Sequence, residues 1–202
     1  MKDLASLLFN VGPSYTRPEA GRILVAEPFL KEAFYTHGVA FVIDYLEDEG
    51  ATGVILNNPT EYHLADLLDG VSAEASVRVY CGGPSGQDRL FFIHTLGTEI
   101  IADARCFAPG LYVGGNFDDA VRYINDGYPA DGCIRFFLGH VNWAEGQLER
   151  EISRGRWTTL PDIPSPEAVL AGSGDAMWHR MVRALGPDYR SWSLLPRNPV
   201  CN

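Results

Sequence analysis

The chain has 202 residues, of which 16 are basic and 26 acidic, giving a formal charge of −10 at pH 7. Apolar residues make up 46% and charged ones 21%, which excludes a chain too polar to collapse and suits one large domain that buries a core without disulfides or metal. The negative balance, with no run of three consecutive basic residues, argues against nucleic acid and anionic membranes as direct partners, because both draw affinity from Lys and Arg.

Leu4 to Phe9 predicts a short helix that Gly12-Pro13-Ser14 ends. Arg22 to Ala26 reads as a strand stopped by Pro28. Val39 to Leu46 is a run of β-formers, Gly53 to Asn57 a second, and the acidic turn Glu47-Asp48-Glu49-Gly50 between them predicts a hairpin. His63 to Leu68 has Leu64, Leu67 and Leu68 on one helical face, with Gly70 as the stop. Val77 to Tyr80 is a strand running into Cys81-Gly82-Gly83-Pro84; Leu90 to His94 and Gly110 to Val113 are two more. Asn116 caps a helix that leaves at Gly127, with Asp118 and Asp119 at its positive end and Phe117, Ala120, Val121 and Ile124 as its buried stripe. Ile134 to Leu138 predicts a central strand. Asn142, with Glu145 at capping-box spacing, predicts a helix through Arg154. Arg156 to Leu160 is a strand, Ser165-Pro166-Glu167 opens a short helix, and Asp175 caps a longer one to Leu185 that Gly186-Pro187 closes. Tyr189, Trp192, Leu194 and Leu195 make the tail too apolar to stay in solvent. Uneven alternation of strands and helices predicts an α/β protein: a layered mixed β-sheet flanked by helices. Residues 1–161 form the expected core domain, and residues 162–202 a C-terminal helical appendage packed on it.

Few of these residues carry chemistry on their spacing. Cys81-Gly82-Gly83-Pro84-Ser85-Gly86 lets backbone N–H groups approach an anion, but it matches neither G-x-G-x-x-G nor a phosphate-binding Gly-Lys-Ser/Thr loop, and Gln87 breaks G-x-S-x-G. A structural turn explains it as well. Gly114-Gly115-Asn116 sits at a helix N-terminus, where Asp118 and Asp119 oppose an anion. Cys81 and His94, on strands expected to be neighbours, invite a thiolate–imidazole reading, against which a lone Cys at a strand end is ordinary packing. His37, His63, His140 and His179 show neither H-x-H nor H-E-x-x-H spacing, so no zinc site is expected. Asp44, Glu47, Asp48 and Glu49 read as a solvated hairpin tip, and Trp143, Trp157, Trp178 and Trp192 as core and tail anchors. Cys81, Cys106, Cys133 and Cys201 contain no C-x-x-C pair, and Met1 to Asn10 lacks the pattern of a secretory signal, so a reduced, cytoplasmic protein is expected.

Taken in order, several segments resemble the YqgE/AlgH family: Gly21-Arg22-Ile23-Leu24-Val25-Ala26-Glu27-Pro28-Phe29-Leu30, Gly53-Val54-Ile55-Leu56-Asn57-Asn58-Pro59, Tyr80-Cys81-Gly82-Gly83-Pro84 and Leu90-Phe91-Phe92-Ile93-His94-Thr95. Gly110-Leu111-Tyr112-Val113-Gly114-Gly115, Arg135-Phe136-Phe137-Leu138-Gly139 and Trp143 with Gln147, Leu148 and Glu151 complete the pattern. The resemblance implies a layered α/β fold with a mixed sheet in a bacterial cytoplasmic protein. Some relatives carry the label of transcriptional regulator, but it brings no catalytic residues, cofactor or metal. Two expectations follow, ahead of a third, a direct regulator of DNA, which the acidic charge disfavours. The first is a non-enzymatic regulatory or interaction protein with a protein partner. The second is a small-molecule or anion binder, or an enzyme, using the Cys81-Gly82-Gly83-Pro84 turn with Asn57 and His94 beside it; its candidate ligand-binding residues are Asn57, Gly82, Gly83, His94 and Gly115.

Overall fold

A computed structural model describes residues 17–30, 32, 34–195 and 197; the helix expected over Leu4 to Phe9, its stop, and Cys201 lie outside them. The described strands are β1 (Ile23–Ala26), β2 (Val39–Leu46), β3 (Gly50–Ile55), β4 (Pro59–His63), β5 (Arg78–Cys81), β6 (Ser85–His94), β7 (Arg105–Ala108), β8 (Leu111–Val113), β9 (Ile134–Trp143) and β10 (Trp157–Thr159). The helices are α1 (Leu64–Leu67), α2 (Phe117–Asn125), α3 (Gln147–Ser153), α4 (Pro166–Leu170) and α5 (Gly174–Leu185). The strands run in the order β10-β1-β2-β3-β9-β6-β8-β7, with β5 beside β9 and β4 beside β5. The pairing of β5 with β9 is parallel, so the sheet is mixed as expected. Among the described residues no helix is long and apolar enough to cross a membrane.

Strand β9 joins two halves of the sheet. Its first half lies between β5 and β6, while Val141, Asn142 and Trp143 pair with Gly53, Thr52 and Ala51 of β3. The long apolar runs are buried on both faces, which is why they do not alternate in polarity. In β2, Val39, Phe41 and Ile43 enter one core with Ile23, Val25 and the residues of α4 and α5. Ala40 and Val42 point the other way, toward Trp143, Trp157 and α3. On the outer side of β5, β9 and β6, Val79, Phe92, Ile134 and Phe136 pack against α1 and α2. Val169, Leu170, Met177, Trp178, Met181 and Val182, together with Tyr189 and Trp192, share the first of these cores with β1 and β2.

Several boundaries differ from expectation. Asn142 is in β9 and caps nothing; the strand continues because Gly139, Val141 and Trp143 are buried in alternation with the more exposed His140 and Asn142, a period of two where a helix was expected. The helix begins only at Gln147, after Gly146 in the left-handed region at φ 63°. Helix α5 starts two residues earlier than a cap at Asp175 allows, with Ser173 in the N-cap position. The edge strands β4 and β7 had no apolar pattern to reveal them, and β6 begins at Ser85. Tyr123 replaces Val121 in the buried stripe of α2, Leu67 is exposed, and Leu194 is 83% exposed. Asn116 caps α2 as expected, accepting from the N–H groups of Asp118 and Asp119.

Two polar clasps cross this frame. Glu151 on α3 accepts from the indole N–H of Trp143 (3.2 Å) and of Trp157 (2.9 Å), and its other oxygen accepts from Gln147 (2.9 Å). Arg135 on β9 is 3% exposed. Its guanidinium donates to the carbonyl of Leu56 (2.7 Å), to that of Gly172 (2.6 Å) and to that of Leu170. It lies 4.3 Å from the centre of the Tyr80 ring. Arg135→Met keeps the bulk but leaves those carbonyls without their donor. We expect it to lose about 3–5 kcal/mol of stability in urea unfolding; a loss below about 1 kcal/mol would contradict the clasp.

Candidate functional site

The residues singled out in the sequence fall into two groups. Asn57 and the Gly82-Gly83 turn lie together, since Gly82 accepts from the N–H of Ile55 (2.8 Å) and Asn58 accepts from that of Cys81 (2.8 Å). Asn57 is buried and its amide is occupied. It accepts from Val39 N–H (2.8 Å) and donates to the carbonyls of His37 (2.8 Å) and Gly174 (2.9 Å). Its backbone carbonyl also accepts from Gly174 N–H at 2.9 Å. Asn57 thus ties the end of β3 to the start of β2 and to the first turn of α5. Gly82 and Gly83 press against β9: a Cβ on Gly82 would stand 2.2 Å from the Gly139 carbonyl oxygen, and one on Gly83 2.4 Å from that of His140. Close backbone approach explains both glycines.

His94 and Gly115 form the second group. His94 is fully buried. Its Nε2 lies 3.2 Å from the Gly114 carbonyl and its Nδ1 accepts from Leu96 N–H at 3.2 Å, which assigns the proton to Nε2. Burial holds this imidazole below the usual histidine range, opposed by the Gly114 contact. Gly115 packs its backbone against Ile101 and the Ala102 carbonyl. The expected adjacency of Cys81 and His94 is not found, because β9 runs between their strands. Cys81 pairs with Leu138 and His94 with Ile134, roughly 13 Å apart along β9 at about 3.3 Å per residue. The Cys81 thiol faces the Gly83 carbonyl at 3.8 Å. A thiolate–imidazole pair is therefore not assembled.

A different cluster stands out where β2 begins and α5 starts. His37 is fully buried, with φ 51° and with its ring stacked flat on Trp178 at 3.8 Å. Trp178 in turn donates its indole N–H to the Ala26 carbonyl at 3.0 Å. Nδ1 of His37 faces Oδ1 of Asp175 at 3.4 Å, a long ion-pair distance, while Nε2 has no hydrogen-bond partner. Arg197 approaches the same oxygen at 3.7 Å, and the His179 ring lies 6.0 Å from that of His37. Burial lowers the affinity of His37 for a proton, while Asp175 raises it. The sequence hid this cluster because Asp175 reads as a helix cap and His37 has no metal- or triad-like spacing. Among the described residues, no three His, Cys, Asp or Glu side chains are grouped so that they could hold a metal ion.

A surface groove of about 450 Å³ lies between the β2–β3 hairpin and the connection from β9 to α3. Asp44, Leu46, Glu49, Asn142, Trp143 and Gln147 are among its walls. Asp44 is held by a two-pronged bond from Arg105 (2.9 and 2.8 Å) and Glu47 by Arg17 (2.5 Å). Asp48 and Glu49 have no such partner among the described residues.

Comparison with known proteins adds the following. An AlgH-like (DUF179) family model matches residues 23–190. A UPF0301 protein of Parabacteroides distasonis is 36% identical over 195 residues, covering 96% of this chain and 97% of the relative. One from Bacteroides thetaiotaomicron is 33% identical over 202 residues, covering 99% and 100%. The solution structure of the AlgH protein from Pseudomonas aeruginosa superposes with a TM-score of 0.66 at 24% identity, over 85% of this chain and 92% of that one. A crystal structure of a Corynebacterium diphtheriae protein does so with a TM-score of 0.68 at 23% identity, over 89% and 92%. Both structures speak to the fold alone.

Two outcomes follow from the geometry. Gly82→Ala should cost about 2 kcal/mol or more and lower Tm by roughly 5 °C or more; an unchanged Tm would mean that the turn is not packed as described. His37 and His94 both bind a proton less readily folded than unfolded. The unfolded chain then takes up more protons as pH falls, so stability should be full above the ordinary histidine range and decline between about pH 7 and 5.5. The half-buried Glu27, whose carboxyl is raised by burial, acts in the opposite sense only near the bottom of that window. Urea unfolding across the window checks this, and a flat or rising profile toward acid would contradict it.

Proposed function

Since the chain belongs to the AlgH-like family, we propose that it is a non-enzymatic interaction protein that recognises a basic segment of a protein partner. The observation that carries this reading is the groove beside the hairpin. It combines the 55% exposed Leu46 and the edge of the buried Trp143 with the carboxylate of Glu49, which has no ion-pair partner among the described residues and follows Asp48 in the acidic turn. A chain of net charge −10 attracts cationic surfaces at long range, and the groove supplies contact area once the partner arrives. Regulation, on this reading, is exerted through that protein and not by direct contact with DNA. The polar residues that the sequence offers for chemistry support the same view: Asn57 and His94 spend their hydrogen-bonding groups inside the fold.

Affinity capture from a bacterial lysate tests it, run at about 0.15 M ionic strength, where the Debye length is about 8 Å. The wild type should retain a stoichiometric basic protein, and a variant carrying Asp48→Lys with Glu49→Lys should lose it. Duplex DNA mixed with micromolar protein should show no retarded band. Equal capture by both forms, or a retarded DNA band, would overturn the reading.

A further inference from the structure

The chain is acidic, and many of its arginines face its own polar groups. Arg105, Arg122, Arg156 and Arg197 each reach a carboxylate, and Arg180 donates to the carbonyls of Ala168 (2.9 Å) and Ala171 (2.8 Å). Arg183 and Arg190 differ. Both are exposed, and their guanidinium groups make no ion pair or hydrogen bond among the described residues. Both also line one cavity of about 390 Å³ at the end of α5, together with Val182, Gly186, Pro187 and Ser193. None of these walls is acidic.

The backbone that carries the two arginines is held in place. Arg183 lies in the last turn of α5, where the negative end of the helix dipole favours a cation. Gly186, at φ 112°, turns the chain, and Arg190 follows the 3₁₀ turn Pro187–Tyr189, donating its N–H to the Pro187 carbonyl at 3.2 Å. Tyr189 and Trp192, edge-on to each other at 5.0 Å, anchor that turn in the core. The Ser193 hydroxyl donates to the Arg190 carbonyl at 2.7 Å, so the two guanidinium groups are the free side-chain donors. The helix dipole accounts for Arg183 alone. It gives no reason for a second cation on the same cavity, where like charges repel.

From this arrangement we infer that the cavity binds a small organic phosphate monoester. Such a group carries roughly 1.5 to 2 negative charges near neutral pH, and guanidinium forks bind its oxygens in pairs. Two guanidinium groups match that charge, whereas a carboxylate balances one. The volume is that of a small-molecule site and exceeds what a phosphate group fills, and Val182 and Pro187 offer an apolar side to the body of the ester. The cavity shares no residue with the groove beside the hairpin, so it stands independently of the interaction-protein reading.

Titration of phenyl phosphate into isotope-labelled full-length protein, followed by amide NMR at low ionic strength, tests the site. Saturable shifts are expected at Gly186, Arg190 and Ser193, with a Kd of about 1 mM or tighter. Arg183→Gln and Arg190→Gln should each weaken binding at least about fivefold, the scale of a charged hydrogen bond at a surface. Arg154→Gln, which removes the same charge from an exposed position outside the cavity, should bind as the wild type does. Inorganic phosphate and benzoate should each bind more weakly than phenyl phosphate, the first for want of an apolar body and the second for want of charge. No saturable shift up to about 10 mM overturns the assignment, as does affinity that both cavity variants retain or that Arg154→Gln loses equally. Inorganic phosphate binding as tightly as phenyl phosphate overturns the organic body, and benzoate doing so overturns the phosphate.

Discussion

A guanidinium placed beyond the reach of water governs this fold. Moving a charge of that kind into a protein interior costs several kcal/mol, and Arg135 bears that cost at the second position of β9, between Ile134 and Phe136. What offsets it comes from three separate stretches of chain. The carbonyl of Leu56 follows β3, the carbonyl of Leu170 ends α4 and that of Gly172 lies just beyond it, and the face of the Tyr80 ring belongs to β5. Asp131 adds a more distant carboxylate at 3.8 Å, and its oxygen accepts from Gly172 N–H at 3.1 Å, so the loop after α4 is held from two sides. None of these segments satisfies the charge alone, which makes their arrangement cooperative.

The same economy governs the other buried polar groups. Asn57 spends its amide on the start of β2 and the first turn of α5, and His94 spends its ring on the loops after β6 and β8. Glu151 gathers two indoles and Gln147 onto α3. Chemistry therefore has little to work with in the middle of the sheet. What is left for binding is peripheral: the charged groove beside the hairpin, where the β2–β3 turn meets the connection from β9 to α3.

Most strands were legible because their residues face two cores at once. Val39 to Ile43 and Ile23 to Ala26 are apolar without a break, and no exposed helix would carry such a run. The continuation of β9 past Gly139 was written in the alternation of Val141 and Trp143 with His140 and Asn142, but the capping spacing of Asn142 and Glu145 competed with it, and tertiary pairing with β3 decided. Edge strands β4 and β7 bury too little to leave a pattern. The site was less legible. Asn57, Gly82 and His94 drew notice for their residue types, while their roles depend on partners distant in sequence. A buried arginine inside an apolar run was the one local sign of the central clasp. His37 gave none, since its neighbours Asp175 and Trp178 arrive only when α5 docks.

Hydrogen exchange on the wild type and Arg135→Lys tests the central claim most directly. Lysine keeps a charge in place but lacks the planar fork that spans carbonyls from separate segments. If the clasp binds those segments into one unit, amides of α4 and α5 in Arg135→Lys should exchange at least about tenfold faster, equivalent to about 1.4 kcal/mol. Amides of α2, on the far face of the sheet, should keep their wild-type protection. Uniform acceleration across the chain, or unchanged protection in α4 and α5, would contradict the account.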